Sequence, residues 1–582
     1  MTSARPIGPK RPTILHALTA TSQVSRLGLL LIFLSWAYCG FAQTSTTAQD
    51  RFKDLFKAER WQQLALLLKA EPQRSAELEY EYGIAMAHLE KWDEARSAFL
   101  RGSELSPGDK RFPEELAGIS FKLRKNSEAK KYLHRALRID AKDEYAEDFL
   151  ATIYFLDGNL EAAVSHWNAI NKPQIGELRT EPRLQVRPAL LDHAITFGPS
   201  ITVKLEDLRA TDRRLDHLQI FSAYRFNLVA NGEGKFDAVL RAQELNGFGD
   251  GKVQALVRTM RGIAFQEVTP EYDNLRGSGT NIAALARWDV DKRRYQASIS
   301  GLLWQSPQWR YWVTAGVRNE NWDVRKGFAG PAPILAALNL RREEGSAEVE
   351  RLVGWRWQWR VGLELSHRDE RNVIFPAALS PELLAEGYQL KQTASLGYEI
   401  WRSAEHRASV ATKVSSQAAR LWATPSQSFE KVQAGLEAHW LPQARGDDYE
   451  TLVRVRGGKT FGDIPFDELF MLGLERDNDL WLRGHLGTRD GRKGSAPLGK
   501  NYFLTNWETD KNIFSNGFVN FKAGPFIDTG KISDAAAALG TRQVLVDTGA
   551  QVKVRIMGVG LVFSYGKDLR SGNNAFYTTV VR

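Results

Sequence analysis

At 582 residues and a formal net charge of +9, the chain exceeds what one hydrophobic core serves, so two or more domains are expected. A mean hydropathy of −0.36 excludes a helical membrane protein but not a β-barrel, whose alternating strands give a weak hydropathy signal even when they cross a bilayer. Basic and acidic residues are interspersed and form no polybasic arm, which argues against nucleic acid as a partner.

Residues 1–42 carry Arg5, Lys10, Arg11 and Arg26 without an acid, then an apolar run from Leu27, then the small-x-small site Gly40-Phe41-Ala42. This is the composition of a signal peptide. The apolar run is about 16 residues, short of the ~20 that a spanning helix needs. Cys39 is the only cysteine and follows Tyr38, where lipidation takes a small residue, so cleavage after Ala42 leaves a mature chain without disulfides.

A 34-residue period comes next, with Ala95, Ala129 and Ala163 in one register and Phe99, Leu133 and Trp167 in another. Gly83, Met86, Trp92, Gly102 and Pro107 fill further positions of a tetratricopeptide unit. Small residues let paired helices approach closely and large ones fill the groove of the next hairpin. An all-α tetratricopeptide solenoid is therefore expected over 47–176, with residues 50–75, which hold Trp61 and Pro72, as a degenerate cap. Its concave surface suits a periplasmic protein partner; a spacer without a ligand is the plainer alternative.

From Leu184 the pattern is mixed. Pro188 opens a short helix through Ala194, and Leu205, Leu208, Leu215 and Leu218 share one face of a second. Tyr224, Phe226 and Leu228 alternate on a strand, Asn231-Gly232 makes a hairpin turn, and Phe236, Ala238, Leu240 and Ala242 alternate on its mate. The order, the Leu215, Leu218, Phe221 run and the closing Glu244 resemble a polypeptide-transport-associated (POTRA) domain, here a small α+β unit over 180–247.

After Gly251 the chain becomes a series of alternating segments. Lys431, Gln433, Gly435, Glu437 and His439 interleave with Val432, Ala434, Leu436, Ala438 and Trp440, and the stretch 544–553 does the same. One face is polar and the other lipid-compatible, the inverse of a soluble barrel with a packed interior. Strand starts fall near 253, 281, 294, 309, 334, 346, 357, 388, 406, 428, 449, 500, 517, 542, 557 and 573, which predicts a 16-stranded antiparallel transmembrane β-barrel over 251–582. Trp309, Tyr311, Trp312, Trp355 and Trp357 suit interfacial girdles.

The longest interval without a strand, 461–499, follows the eleventh and holds Leu482-Arg483-Gly484-His485. On the strand after Asn520, Asp528 lies on the polar face, where a lone carboxylate is costly unless a cation reaches it; Arg483 is the candidate cation. This stretch resembles the outer-membrane protein 85 family, the BamA-like surface-antigen barrels that insert or translocate proteins. The resemblance implies that the loop folds into the lumen and that Arg483 meets Asp528 in the Phe526-x-Asp528-x-Gly530 strand, with Glu508 on the strand between. His485 stands where the family usually carries an aromatic.

Enzyme chemistry finds no support. The ten histidines are dispersed, no His-Glu-x-x-His, Cys/His cluster or Gly-x-Ser-x-Gly elbow occurs, and Gly491-Arg492-Lys493-Gly494-Ser495 lacks the spacing of a phosphate loop. No cofactor and no metal are expected. The expected function is outer-membrane protein assembly or polypeptide translocation, with outer-membrane lipid and a client polypeptide as further partners. The rival is a passive export porin for an extracellular polysaccharide on a tetratricopeptide scaffold.

Overall fold

A computed structural model describes residues 48–232, 235–249, 251–325, 333–374, 381–443, 446–516, 519–533, 539–541, 543–556 and 559–581. The expected signal peptide lies outside them. Two compact units are resolved, one ending at Pro72 and one running from Gln73 to the C-terminus.

The first unit contains helices α1 (Ala48–Lys57) and α2 (Trp61–Ala70). Phe52, Leu64 and Leu68 are buried in it, and Phe56 meets Trp61 edge-on at 5.5 Å.

The second unit opens with three helical hairpins: α3 (Ala76–His88) with α4 (Trp92–Leu105), α5 (Arg111–Lys122) with α6 (Asn126–Ile139), and α7 (Glu144–Leu156) with α8 (Leu160–Ala169), stacked in that order. Side chains close several N-termini: Ser75 accepts from the Leu78 amide, Asp143 from Tyr145 and Ala146, and Asn159 from Ala162, satisfying donors that a helix end leaves open. Ala95, Ala129 and Ala163 are fully buried, as are Phe99 and Leu133. A Cβ at Gly83 would lie 2.4 Å from the Phe99 ring, so only glycine lets these helices approach so closely.

A three-stranded sheet follows in the order β1 (Ile175–Glu181), β3 (Phe236–Glu244), β2 (Phe221–Ala230), with β1 parallel and β2 antiparallel to β3. Helices α9 (Pro188–Ala194) and α10 (Leu205–Leu218) lie between β1 and β2 in the chain. One continuous core joins the hairpins to this sheet, running from Ala117 and Leu133 through Trp167 to Leu215, Phe226 and Leu240.

The remainder forms a barrel whose strand order closes on itself. Its long strands are β6 (Asn281–Arg287), β7 (Lys292–Leu302), β8 (Trp309–Arg325), β9 (Ile334–Val353), β10 (Trp357–Ile374), β11 (Gly387–Ser403), β12 (Ala408–Trp422), β13 (Gln427–Trp440), β14 (Tyr449–Gly462), β19 (Asn501–Ser515), β20 (Val519–Ser533), β21 (Leu545–Ile556), β22 (Val559–Asp568) and β23 (Asn574–Val581). Among the described residues that is fourteen long strands, not the sixteen expected. The segment starting near 253 is helix α11 (Lys252–Thr259), and the starts near 334 and 346 belong to the single 20-residue strand β9. Residues 253–257 also suit a helix, since Val253, Leu256 and Val257 fall at i, i+3 and i+4. The first position in the wall is taken by two two-residue strands, β4 (Glu267–Val268) and β5 (Glu271–Tyr272), which pair with β6.

Outward side chains are apolar and exposed, among them Ile299, Val313, Leu363, Leu396, Leu436, Phe503, Ile527 and Phe576. Exposed aromatics mark both ends of the wall. Trp304, Trp357, Trp401 and Trp440 lie at one end, and Trp288, Tyr388, Trp422 and Phe461 at the other. The first end is where the helices dock. His217 of α10 bonds Glu350 and the Pro307 carbonyl, Glu161 of α8 pairs with Arg402, and the 404–407 turn is held by α6, α7 and α8. Trp312 and Trp355 serve this junction rather than a girdle: Arg360 lies over the Trp312 ring, His217 packs against it, and Arg209 of α10 covers Trp355.

Candidate functional site

Residues 463–500 leave β14 at the end away from the helices and fold into the barrel. The segment is built on two short pairings, β15 (Phe470–Met471) with β18 (Leu498–Gly499) and β16 (Thr488–Arg489) with β17 (Arg492–Lys493), and β17 touches β8 at Trp322. Ile464, Phe466 and Leu469 share a buried cluster with Trp322, Leu338 and Leu340.

Arg483 is buried in this lid, 2% exposed. Its Nε and Nη2 donate to the two oxygens of Asp528 at 2.9 and 2.7 Å, and its own backbone amide donates to Asp528 at 2.9 Å. Nη1 donates to Glu508 and to Gln551, both at 2.8 Å. The guanidinium lies over the Phe526 ring, 3.8 Å from its centre. A fork with fixed N–H directions is needed to serve this many acceptors at once. Glu508 also receives Lys553 at 2.8 Å, and Asp528 receives Asn506 at 2.8 Å. Leu482 is fully buried with Leu472 and Leu504, and its methyl lies 3.4 Å from where a Cβ of Gly530 would stand.

The rest of the motif reaches β21. The amide of Gly484 donates to Asp547, and His485 Nδ1 lies 3.0 Å from the same carboxylate. A Cβ at Gly484 would stand 2.6 Å from the Asp547 carboxyl carbon, so glycine is required here. Among the described residues, His485, Asp547 and Asp568 form the group whose ligand atoms, all within 4.8 Å, could hold a metal ion. Sequence reasoning did not single out Asp547 or Asp568; the clean alternation around Asp547 marked it as inward-facing but gave no partner.

Two further ion clusters escaped it. Asp467 and Glu468 meet Arg318, Arg342 and Arg368 on β8, β9 and β10, with Lys391 added from β11. Asp477 meets Arg287, Arg294 and Lys493, and Lys493 also reaches Glu320 at 2.6 Å. The lid is therefore fastened at several points around the wall, with the Arg483 cluster on β19–β21 as one of them.

No family model matches the chain, and no curated protein matches it. Solved structures with some likeness include BamA from Haemophilus ducreyi lacking POTRA domains 1–3, at 13% identity and a TM-score of 0.39, covering 70% of this chain and 84% of that one. CdiB from Escherichia coli is 12% identical with a TM-score of 0.43, covering 70% and 75%. CdiB from Acinetobacter baumannii is 11% identical with a TM-score of 0.41, covering 70% and 73%.

Proposed function

We propose that this chain is an outer-membrane barrel that inserts or translocates client polypeptides, with its tetratricopeptide-like hairpins and POTRA-like sheet in the periplasm. It works without catalysis or a cofactor. The outward apolar band between two aromatic ends supports the membrane assignment, and backbone pairing around a closed wall is what lipid demands.

The observation that carries the polypeptide reading is the seam. Strand β23 offers eight residues, but its neighbour across the closure is the two-residue strand β4, followed by the equally short β5. Such a short edge leaves few ladder bonds for closure and a template on which an incoming strand can satisfy its own backbone. A cavity of about 300 Å³ lies there, lined by Arg261, Glu267, Thr269 and Val580 among others. A lumen filled by a multiply anchored lid suits a regulated passage for chains better than an open pore.

Cysteines placed at Thr269 and Val580 and joined by a short bifunctional cross-linker test the reading. In proteoliposomes the unlinked protein should accelerate insertion of an unfolded barrel client over protein-free liposomes, and cross-linking should abolish the gain. Equal rates with and without the cross-link, or no gain at all, would overturn it.

A further inference from the structure

Arg318, Arg342 and Arg368 stand directly opposite one another on three adjacent strands, Arg318 paired with Arg342 and Arg342 with Arg368. Like charges in that relation repel. Lys391 on β11 and Lys431 on β13 extend the row along the inner wall. Arg342 and Arg368 are 2% and 1% exposed, and buried cations at this density need counter-charge.

The wall gives them Glu320, Glu344 and Glu364, with Glu370 beside Arg368. The rest comes from two consecutive lid residues. Asp467 receives Arg342 at 2.7 Å and Arg318 at 3.2 Å, while Glu468 receives Arg342 at 2.8 Å and Lys391 at 3.2 Å. Lys431 donates to the Glu468 carbonyl at 2.7 Å. The fit is incomplete. Arg368 approaches both lid carboxylates only at 3.6 Å, and its Nε and Nη1 are buried without a hydrogen-bond partner among the described residues.

From this we infer that the row Arg318, Arg342, Arg368, Lys391, Lys431 is a binding track for acidic segments of a polypeptide, masked by the lid's Asp467-Glu468 as a built-in substitute. The occupant seen is itself an acidic dipeptide held by side chains and carbonyl, which is why the ligand class is acidic peptide. The identity of that peptide as a passing client rests on the translocation reading above; the track itself does not. When the lid withdraws, the row loses the two carboxylates that complete its neutralisation, and the arginine forks face the lumen, where bidentate contacts to Asp and Glu are available.

Single-channel recording of the full chain in planar bilayers tests this. Asp467→Asn/Glu468→Gln should raise anion over cation permeability on the order of tenfold, because unpaired wall charge in a narrow low-dielectric channel concentrates anions. A synthetic peptide rich in Asp and Glu should block this variant at lower concentration than its Asn/Gln counterpart. Adding Arg318→Gln and Arg368→Gln should remove both effects. If the double lid variant does not fold, a chain with residues 464–498 replaced by a short Gly-Ser linker exposes the same row, and the same readings decide. Unchanged or cation-favouring selectivity, equal block by both peptides, or block by an anionic polysaccharide but not by the acidic peptide would each overturn the inference. Normal client insertion with neutral selectivity would sink the track alone; anion selectivity without client insertion would sink the translocation reading alone.

Discussion

Replacing Arg483 with Ala removes four side-chain hydrogen bonds at once, two to Asp528 and one each to Glu508 and Gln551. The cost falls unevenly. Glu508 keeps Lys553 at 2.8 Å and Gln551 at 3.0 Å, whereas Asp528, fully buried, keeps only neutral donors, the residue 483 amide and Asn506. Breaking a buried pair by removing one partner costs about 3–5 kcal/mol, which at 1.4 kcal/mol per tenfold is roughly two to three and a half orders of magnitude in the local opening equilibrium. The anchors at Asp467 and Asp477 remain, so the lid should loosen between residues 478 and 487 rather than leave the barrel. Hydrogen exchange should show protection of the amides there falling steeply, with Arg483→Lys only partly better because an ammonium cannot reproduce the fork. Asp528→Asn should give a similar loss, and Arg483→Ala/Asp528→Asn should lose less than the sum of the two singles. Strict additivity, or unchanged protection in Arg483→Ala, would refute the argument that this pair holds the lid tip.

Two other outcomes are expected. At the junction of helices and barrel, Glu405 meets His134 at 3.2 Å, His166 at 3.1 Å and the Tyr154 hydroxyl at 3.2 Å, beside Lys131 and Arg138. Burial works against the charged form of His166, but its hydrogen bonds to Glu405 and Glu147 outweigh this and raise its pKa, while the two histidines hold the Glu405 carboxyl well below its usual range. The His166 contribution is thus complete below about pH 6.5 and fades as pH rises through its raised value, and the Glu405 contribution is complete above about pH 4.3 and fades only in stronger acid. Exchange of the 404–407 amides, corrected for intrinsic rates, should be slower at pH 6 than at pH 8, and Glu405→Gln should flatten the difference; a flat profile in the unmodified protein would count against the clasp. In the hairpins, Gly83→Ala gains helix propensity but drives a methyl into Phe99, and overpacking of about 1–3 kcal/mol should exceed a gain of about 1 kcal/mol. Thermal unfolding followed by circular dichroism should show a lower Tm, restored in part by Phe99→Leu.

What could be read from the sequence was whatever depends on local period or on a short motif. The 34-residue spacing of Ala95, Ala129 and Ala163 places all three at fully buried positions, because the same helix-packing demand recurs at each hairpin. Alternation around residues 431–440 separates inward Lys431 from outward Leu436 and Trp440, since the side-chain period of a strand is two whatever its neighbours are. Arg483, Glu508 and Asp528 sit in or near a recognisable motif, and the structure brings them within hydrogen-bonding distance. Alternation, however, carries no information about which residue stands opposite which. The register that sets Arg318 against Arg342 and Arg342 against Arg368 is a property of three strands together, so each arginine looked like an ordinary inward polar residue. The two acids that complete their neutralisation lie about a hundred residues or more away in a loop without a period of its own, where Asp467-Glu468 resembles any solvated pair. Residues 252–259 failed for the opposite reason: a short apolar pattern fits a strand and a helix alike, and in the helix that forms, Arg258 reaches Asp273 at 2.5 Å and Glu271 at 3.2 Å. Ion pairs between distant segments thus fasten the lid's seat, and they are the feature a single sequence displays least.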